Sequence, residues 1–363
     1  MEEILDYLML MFCMKPEGKE VDFNHVREKV ERDLKIKDPA IVKNALTKLI
    51  NQGLLRERKG LFSASQKGRE FFKERVLKTE EKLEKLNKSW LIVYKAKQFY
   101  PIVKDTILEF CKDRYVGFYC LFTEKRFFRR DFRGKKITIK NWKELKFYLD
   151  IHCIDIIPCV HRIGVERPDW LVVDIDAGPK VSFEKTKEIT KIIFGVFKDL
   201  GLKPCLKFSG SRGFQVWALI EEFEMPKFYT PIKLKTERRE RNYFSLFSDF
   251  VRVIQKEVDK IEPGITTSSV AEKEKREDKI LLDPSSMKRL GLVRVPYGIH
   301  SKTGLVSMPI SLKELERFEP KMAKPELVAK RYKLRGNEFK LKPSSPDLLL
   351  EKLKPLVSPL FRA

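Results

Sequence analysis

A strand-like run of apolar residues, Leu171-Val172-Val173, leads directly into Asp174 and Asp176, which are separated by one residue. Successive side chains of a strand point to opposite faces, so the two carboxylates share a face where the strand ends. Two carboxylates about 5 Å apart repel each other by roughly 1 kcal/mol or more, and a divalent cation removes that penalty. The pair therefore predicts a Mg²⁺ or Mn²⁺ site, with a solvated acidic turn as the alternative.

A third carboxylate, Asp283, ends a second apolar run over residues 279–283 and is followed by Pro284. Three carboxylates from two strands are enough to hold the two ions of a phosphoryl-transfer centre. In that mechanism one ion activates an attacking 3′-hydroxyl, and the other holds the triphosphate and the pyrophosphate that leaves. We expect Asp174 and Asp176 to bridge both ions and Asp283 to favour the first. The alternative for Asp283 is a turn or cap residue before the proline.

Two basic turns between apolar strands suit a polyphosphate. Glycines let backbone N–H groups approach an anion, and Ser and Arg side chains add donors. The first turn supplies Lys207, Ser209, Gly210, Ser211, Arg212, Gly213 and Gln215. The second supplies Arg294, His300 and Lys302, for which a hairpin with exposed cations is the alternative. A Walker-type ATPase loop is excluded because its Lys-[Ser/Thr] ending is absent.

The N-terminal region has the pattern of a small DNA-binding domain. Helical periodicities over 3–13, 25–34 and 41–52 precede two short extended runs joined by Lys59-Gly60. This order predicts a winged helix-turn-helix domain over residues 1–76, and a winged helix that binds protein is the alternative. The side chains predicted to reach phosphates are Lys43, Lys48, Arg56, Arg58 and Lys59.

Residues 77–89 alternate Glu and Lys at helical spacing and predict a helical connector. Beyond it, strand-like and helical segments mix, which predicts an α/β (α+β) catalytic domain of mixed sheets flanked by helices over residues 90–318. The strand-like segments are 116–122, 136–139, 170–175 and 215–220, and the helical ones include 183–200 and 243–261. The proline-rich residues 319–363 are predicted as a C-terminal tail without chemistry.

The composition favours a polyanionic partner. The excess of Lys and Arg over Asp and Glu gives a formal charge of +23, and nucleic acid is favoured over an anionic membrane. The apolar stretch 4–14 is too short for a membrane span and contains Asp6, so we expect a cytoplasmic protein with no membrane partner. Heavy use of Lys and Glu is typical of a thermophilic source.

Six cysteines lack the CxxC spacing of a zinc site, so we expect mostly buried thiols. A Cys153–Cys159 disulfide is an alternative, since intracellular disulfides occur in thermophiles. His152, Cys153, Cys159 and His161 form a second alternative, a metal tetrad. The alternation in residues 154–158 is more typical of a strand.

Cations and aromatics interleave over residues 125–136, as a surface that pairs phosphates and stacks bases requires. This segment predicts a template channel. Its predicted contacts are Lys125, Arg126, Arg129, Arg130 and Arg133. The alternative is a twisted hairpin whose Phe side chains face the core while the Arg side chains are solvated.

Taken in order, these motifs resemble the archaeo-eukaryotic primase superfamily. The segment from His161-Arg162 through the strand that ends at Asp176 to the turn 209–213 looks like the polymerase domain of bacterial ligase D. The segment 294–305 looks like the small catalytic subunit of archaeal primase. The resemblance covers about residues 90–318. It implies metal roles for Asp174, Asp176 and Asp283, and nucleoside-triphosphate contacts from Ser209, Ser211, Arg212, Arg294, His300 and Lys302.

One position departs from that family, whose histidine after the glycine-rich turn is Gln215 here. Glutamine donates hydrogen bonds but carries no positive charge. Losing a charge-assisted phosphate contact costs about 1.5–3 kcal/mol, enough to slow catalysis without abolishing it.

The resemblance implies a metal-dependent DNA or RNA primase-polymerase, a nucleotidyltransferase that adds nucleotides to a 3′-hydroxyl. Its partners would be template and primer DNA, nucleoside triphosphates, and a partner subunit or a repair or replication protein. The alternative is a non-catalytic nucleic-acid-binding or regulatory protein that retains the fold. A two-metal nuclease is disfavoured because a triphosphate cradle would then have no purpose.

Overall fold

The computed structural model describes residues 2–14, 20–34, 36–122, 125–234, 239–269 and 277–357. The chain divides into two compact units, Met1–Leu91 and Ile92–Ala363. None of the helices in these described ranges combines the length and the apolar character that a bilayer span needs.

The first unit combines helices with a small antiparallel sheet. Its elements are α1 (Glu2–Phe12), β1 (Val21–Asp22), α2 (Phe23–Leu34), α3 (Pro39–Asn51), β2 (Leu55–Arg58), β3 (Leu61–Ala64) and the start of α4 (Gln66–Cys111). The sheet has the strand order β1-β3-β2. Asp38 caps α3 by accepting a hydrogen bond from the N–H of Ala40 at 2.8 Å. The helices and the hairpin lie where the periodicities predict them, and the DNA-binding role of the unit stays a prediction.

The hairpin of β2 and β3 turns at Lys59-Gly60, where φ is 53° and 77°. Positive φ at both central residues is the geometry of a type I′ turn, which matches the twist of paired strands. The basic side chains predicted to reach phosphates are exposed. Lys48 differs from the expectation in one respect, because its ammonium lies 2.9 Å from Asp6 on α1 and is already paired within the unit.

The predicted connector 77–89 is not a separate element, because α4 continues through it. Good helix formers and (i, i+4) Glu–Lys pairs leave no signal that would end the helix there.

The second unit is built on two sheets. Its strands are β4 (Val116–Phe122), β5 (Lys125–Arg129), β6 (Asp131–Phe132), β7 (Lys135–Lys136), β8 (Cys153–Pro158), β9 (Trp170–Ala177), β10 (Cys205–Phe208), β11 (Phe214–Ile220), β12 (Thr266–Thr267), β13 (Ile280–Asp283) and β14 (Pro343–Ser344). The larger sheet has the order β10-β11-β9-β13-β12, with β14 beside β11, and the smaller has the order β5-β4-β8. β6 and β7 form a separate two-stranded ribbon.

Helices cover these sheets. They are the C-terminal part of α4, α5 (Trp142–Asp150), α6 (Phe183–Asp199), α7 (Tyr243–Ile261), α8 (Leu312–Leu315), α9 (Pro325–Arg335) and α10 (Asp347–Val357), with 3₁₀ turns at Pro284–Met287 and Pro320–Ala323. α6 and α7 pack against β9, whose residues Leu171, Val172 and Val173 are fully buried. A central strand covered on both faces is a continuous apolar run, which is why it could be recognised in the sequence. The mixed α/β architecture is confirmed.

The segment predicted as a tail is instead part of the core of the second unit. The ring of Phe339 lies 5.5 Å from that of Trp217 and 5.9 Å from that of Phe110. β14 extends the larger sheet in parallel with β11. Leu349 and Leu353 on α10 are fully buried. Pro320 and Pro325 begin helical segments, where proline is favoured. Pro343 lies in β14 and Pro355 lies within α10, so the number of prolines was a poor guide to the structure of this segment.

The cysteine expectation needs one correction. Cys120 on β4 and Cys153 on β8 stand opposite each other and form a disulfide, so the Cys153–Cys159 alternative is wrong. Cys13, Cys111 and Cys159 are buried thiols, as expected.

The metal tetrad is not formed either. The Nδ1 atom of His161 lies 3.0 and 2.9 Å from the carbonyl oxygens of Arg162 and Val165 and is therefore engaged by the backbone. Cys153 is bound in the disulfide with Cys120.

Candidate active site

A row of polar side chains crosses four neighbouring strands on one face of the larger sheet. Lys207 on β10 stands opposite Gln215 on β11, and Gln215 stands opposite Asp174 on β9. Asp174 in turn stands opposite Asp283 on β13, and Asp176 follows it on the same face. Directly opposed residues of antiparallel strands have Cβ atoms about 4.5–5.5 Å apart. The three predicted aspartates therefore occupy adjacent positions of two paired strands.

The charges of these aspartates act on one another. Burial raises the pKa of Asp174 to about 6, a hydrogen bond from the amide of Gln215 lowers it, and the charges of Asp176 and Asp283 raise it again. A divalent cation beside the three carboxylates would replace this repulsion with attraction. Oxygen ligands of this kind are those that Mg²⁺ and Mn²⁺ prefer, so the donor set fits such an ion.

The side chains are also held by protein groups. Asp283 caps the 3₁₀ turn by accepting a hydrogen bond from the N–H of Ser285 at 2.8 Å, as its alternative interpretation predicted. Asp176 lies 4.0 Å from the guanidinium of Arg212. Across the described part of the chain, no three His, Cys, Asp or Glu side chains converge as ready ligands of one ion. The metal role of the three aspartates belongs to the proposals below.

The glycine-rich turn 209–213 joins β10 to β11 and is held by Ser209. The N–H of Ser209 donates to the carbonyl of Gly213 at 2.9 Å, and its Oγ accepts from the N–H groups of Ser211 and Gly213 at 3.3 and 3.4 Å. A Cβ added at Gly213 would lie 1.9 Å from the carbonyl oxygen of Ile175 on β9. The absence of a side chain at 213 thus lets the turn lie against the strand that carries two of the aspartates.

The second predicted turn, residues 300–304, packs directly on the first. Gly210 has a φ of 88°, and a Cβ there would lie 2.9 Å from the Cβ of His300. The hydroxyl of Thr303 donates to the carbonyl of Gly210. Burial, and then the charge of Arg294, lower the pKa of His300 to about 4. His300 is therefore neutral at pH 7. Of the three basic side chains that the sequence places here, only Arg294 and the exposed Lys302 carry positive charge near this turn.

Arg294 connects the two sheets. Its Nε and one terminal nitrogen donate to the two carboxylate oxygens of Asp155 on β8 at 2.7 and 3.0 Å. Its other terminal nitrogen donates to the carbonyl of Ser209 at 2.9 Å. Asp155 is fully buried and was missed from the sequence. The available signal was a lone acid in a wholly apolar strand, because a buried carboxylate requires a cationic partner.

Lys207 lies beneath the turn rather than at its opening. It is fully buried, its Nζ donates to the Oγ of Ser307 at 2.6 Å, and it lies 5.1 Å from the ring centroid of Trp217. Burial, and then the charge of Arg294, hold the pKa of Lys207 well below its usual range. Lys207 shares its sheet face with Gln215 and Asp174, but its ammonium is buried and bound to Ser307, so a phosphate contact of Lys207 stays a prediction.

Gln215 also faces the interior and is 5% exposed. Its Oε1 accepts a hydrogen bond from the indole N–H of Trp217 at 3.2 Å. That contact leaves its amide N–H groups to face Asp174, with which the side chain is hydrogen-bonded. In this structure Gln215 therefore supports an aspartate, whereas the resemblance implies a phosphate contact at this position.

The strand β5 carries part of the predicted nucleic-acid surface. Phe127 and Phe128 are 38% and 41% exposed, so their rings do not lie in the core. The alternative interpretation of this segment required them to face the core. The guanidinium of Arg126 lies 4.0 Å from the ring centroid of Tyr119 and donates to the Oγ of Ser301 at 3.3 Å. Arg126 thus joins this surface to the second turn.

Two of the remaining cations lie beside Phe132, a half-buried ring that packs against the core of the second unit. Arg129 and Arg133 lie 5.4 and 5.5 Å from the ring centroid of Phe132. Arg130 donates to the carbonyl of Leu290 at 3.4 Å. The side chain of Lys125 lies outside the described residues. Arg129 and Arg130 also lie 5.4 and 5.6 Å from the ring centroids of the exposed Phe127 and Phe128. Guanidinium groups beside exposed rings form the type of surface that binds unpaired nucleotides by charge and stacking.

A model of the family described as LigD, primase-polymerase domain, matches residues 110–339. The match covers more than half of the chain and includes the polar row and both turns. The chain belongs to this family. The resemblance predicted from the sequence is therefore confirmed, although the match extends past residue 318 into the supposed tail.

Individual relatives cover smaller parts. The multifunctional non-homologous end joining protein LigD of Pseudomonas aeruginosa is 25% identical over 157 residues, which is 43% of this chain and 16% of that protein. A protein of Methanocaldococcus jannaschii described as uncharacterized is 38% identical over 95 residues, or 24% of this chain and 20% of that one. The chain thus aligns with about a fifth or less of the length of these curated relatives.

A solved structure shows the same fold. The polymerase domain from Mycobacterium tuberculosis ligase D in complex with DNA superposes with a TM-score of 0.56 and 16% sequence identity. The superposition covers 66% of this chain and 88% of that chain. The shared architecture therefore extends over nearly the whole of that domain.

Proposed function

We propose that the chain is a divalent-ion-dependent primase-polymerase that transfers nucleotides to a 3′-hydroxyl of DNA or RNA. The observation that carries the proposal is the register of β9 and β13, which sets Asp283 opposite Asp174 on the face that leads to the glycine-rich turn. Membership in the LigD primase-polymerase family supports a nucleotidyltransferase-type enzyme.

Asp174, Asp176 and Asp283 would hold Mg²⁺ or Mn²⁺, and two such ions, when bound, supply Lewis-acid activation of the hydroxyl and neutralisation of the leaving pyrophosphate. The protein's own contribution is to bind and orient the triphosphate. The backbone N–H groups of Gly210 and Arg212, which the turn does not use internally, and the exposed side chains of Arg212 and Lys302 would bind it. Ser209 orders the turn because its Oγ accepts hydrogen bonds from the N–H groups of Ser211 and Gly213.

Nucleic acid would bind along the exposed aromatic and basic side chains of β5 and the turn that follows it. Stacking on rings and pairing with phosphates are tolerant of sequence, which suits a polymerase. The exposed cations Lys43, Arg56, Arg58 and Lys59 of the first unit would add duplex contacts. Lys48 would contribute less because Asp6 already pairs with it.

Primer extension with the full chain tests this function. Labelled ribo- and deoxynucleoside triphosphates are supplied one class at a time, on primed and unprimed templates, with Mg²⁺, with Mn²⁺ or with EDTA. We expect incorporation only with an ion present. Failure to incorporate any nucleotide under all ion conditions would favour the non-catalytic alternative, which calorimetry of nucleotide binding would then examine.

The substitution Gln215→His is expected to raise kcat/KM for incorporation about 10-fold to 100-fold, the equivalent of a charge-assisted phosphate contact of about 1.5–3 kcal/mol. Burial of position 215 opposes protonation of an imidazole, and the neighbouring carboxylates favour it; the protonated form would supply the missing charge. Steady-state extension rates measure the effect, with Gln52→His in the first unit as the control. An unchanged or lower kcat/KM would show that the glutamine is adapted to its contact with Asp174.

The substitution pair Arg129→Ala and Arg133→Ala is expected to weaken binding of a fluorescent single-stranded oligonucleotide. Each phosphate contact contributes a slope near −0.7 in a plot of log K against log salt, so the slope should become shallower by about 1.4. Anisotropy titrations over a range of salt concentrations measure it. Lys352→Ala with Lys354→Ala on α10 removes the same charge elsewhere, and an equal change in that control would locate the binding outside β5.

A further inference from the structure

Asp155 is the best-connected buried carboxylate near the two turns. Besides both hydrogen bonds from Arg294, it accepts from the backbone N–H and from the Oγ of Ser301, each at 3.0 Å. Burial by itself would raise the pKa of Asp155, but Arg294 keeps it below its usual value, so the carboxylate is ionised. One charge on the smaller sheet therefore fixes two side chains that border the proposed nucleotide pocket.

The attachment of the surrounding segment does not depend on Asp155. The N–H groups of Val293 and Val295 donate to the carbonyls of Pro158 and Ile156 at 3.0 and 3.1 Å. The hydroxyl of Tyr100 accepts from the N–H of Ile299 at 2.8 Å and donates to the carbonyl of Ile154. These contacts hold residues 293–299 on β8. Asp155 additionally orients the side chains of Arg294 and Ser301.

That orientation determines what Arg294 can offer to a ligand. A guanidinium has five N–H groups, of which three are used by Asp155 and Ser209. Among the described residues the other two have no hydrogen-bond partner. Because the bidentate pair with Asp155 fixes the plane of the guanidinium, it also fixes the direction of these two groups.

We propose that Asp155 is a positioning residue, which acts through Arg294 and Ser301 to hold the two turns in the arrangement that binds the triphosphate. This inference rests on the proposed function. Asp155 itself does not contact the nucleotide, because it is fully buried behind Arg294. Without the carboxylate of Asp155, the guanidinium of Arg294 would have to be ordered by the bound nucleotide. We therefore expect a loss of nucleotide affinity rather than a slower chemical step.

The test is Asp155→Asn in the full chain, with Asp249→Asn as the matched control. Both carboxylates are fully buried and paired with arginine, but Asp249 bonds to Tyr229 and Arg239 and not to the turns. We expect Asp155→Asn to raise the nucleotide KM about tenfold with kcat changed less than twofold, and to leave oligonucleotide affinity unchanged. The Asp249 variant should keep the parental KM at temperatures well below unfolding.

Two measurements separate the possible outcomes. The dissociation constant of the nucleoside triphosphate, determined by calorimetry, does not require turnover and should rise in parallel with KM. Binding without incorporation by the parent chain would contradict the proposed function while still testing Asp155. A parental KM and dissociation constant in Asp155→Asn, or an equal rise in the Asp249 control, would overturn the positioning role. Absence of nucleotide binding by the parent chain would overturn both.

Discussion

Replacing Asp174 and Asp176 together by asparagine is expected to lower ion-dependent nucleotide incorporation by about 10³-fold or more. Asparagine keeps the shape of the side chain but removes the charge that a divalent cation requires. Incorporation of labelled nucleotide in Mg²⁺ and in Mn²⁺ measures the loss. Asp278→Asn, an exposed substitution close to β13, should retain the parental rate.

The same variant is expected to be more stable than the parent in EDTA at pH 8. Burial raises the pKa of Asp174 to about 6, above the value near 3.9 of an unfolded chain. The folded state therefore binds the proton more tightly, and its stability falls as the pH rises from about 4 to about 6, then stays low. Removing the charge should restore no more than about 3 kcal/mol at pH 8 and almost nothing below pH 4. Denaturant unfolding at both pH values measures it.

A variant that loses activity but gains stability indicates that the two negative charges are retained for function at the expense of stability. A variant that incorporates as fast as the parent would contradict the metal assignment. A variant that loses both activity and stability would indicate that the two aspartates serve the fold.

Replacing Asp249 by alanine is expected to lower the free energy of unfolding by about 3–5 kcal/mol. Asp249 on α7 is fully buried and binds two guanidinium groups, those of Arg239 and Arg252, as well as the hydroxyl of Tyr229 at 2.9 Å and the N–H of Ile232 at 3.1 Å. Alanine would leave these groups without their acceptor in a place that water does not reach. The loss comes from uncompensated cations and not from the removed contact alone.

Asp199→Ala, an exposed substitution at the end of α6, should change the unfolding free energy by no more than about 0.5 kcal/mol. Chemical denaturation followed by tryptophan fluorescence compares the two variants. A loss below about 1 kcal/mol for Asp249→Ala would mean that the segment before α7 rearranges and finds other acceptors.

Local sequence patterns predicted the strands of the site but not how they pair. The strand β9 could be recognised because Leu171 to Val173 are buried on both faces, and β13 because its apolar run ends at Asp283. Their register could not be read, because more than a hundred residues separate them and nothing local specifies pairing over that distance. The resemblance to a family supplied the expectation that these acids meet.

Other errors have the same origin. Asp155 was taken as part of an alternating strand, because its partner Arg294 lies far along the chain. The disulfide was missed because Cys120 and Cys153 are 33 residues apart. Lys207 is of the residue type that binds phosphate, but its ammonium is held in the interior by Ser307, 100 residues along the chain. In each case the deciding contact is remote in sequence.

The pairing of β14 with β11 has a consequence for biosynthesis. The ribosome completes β11 more than a hundred residues before it makes β14, and Phe339, which covers Trp217, also comes late. Until then Leu219 and Ile220 at the end of β11 lack their partner strand, and the indole of Trp217 lacks part of its cover. The second unit therefore completes its fold only after residues 339–344 have emerged, and the nascent chain has to avoid aggregation through the uncovered end of β11 in the meantime.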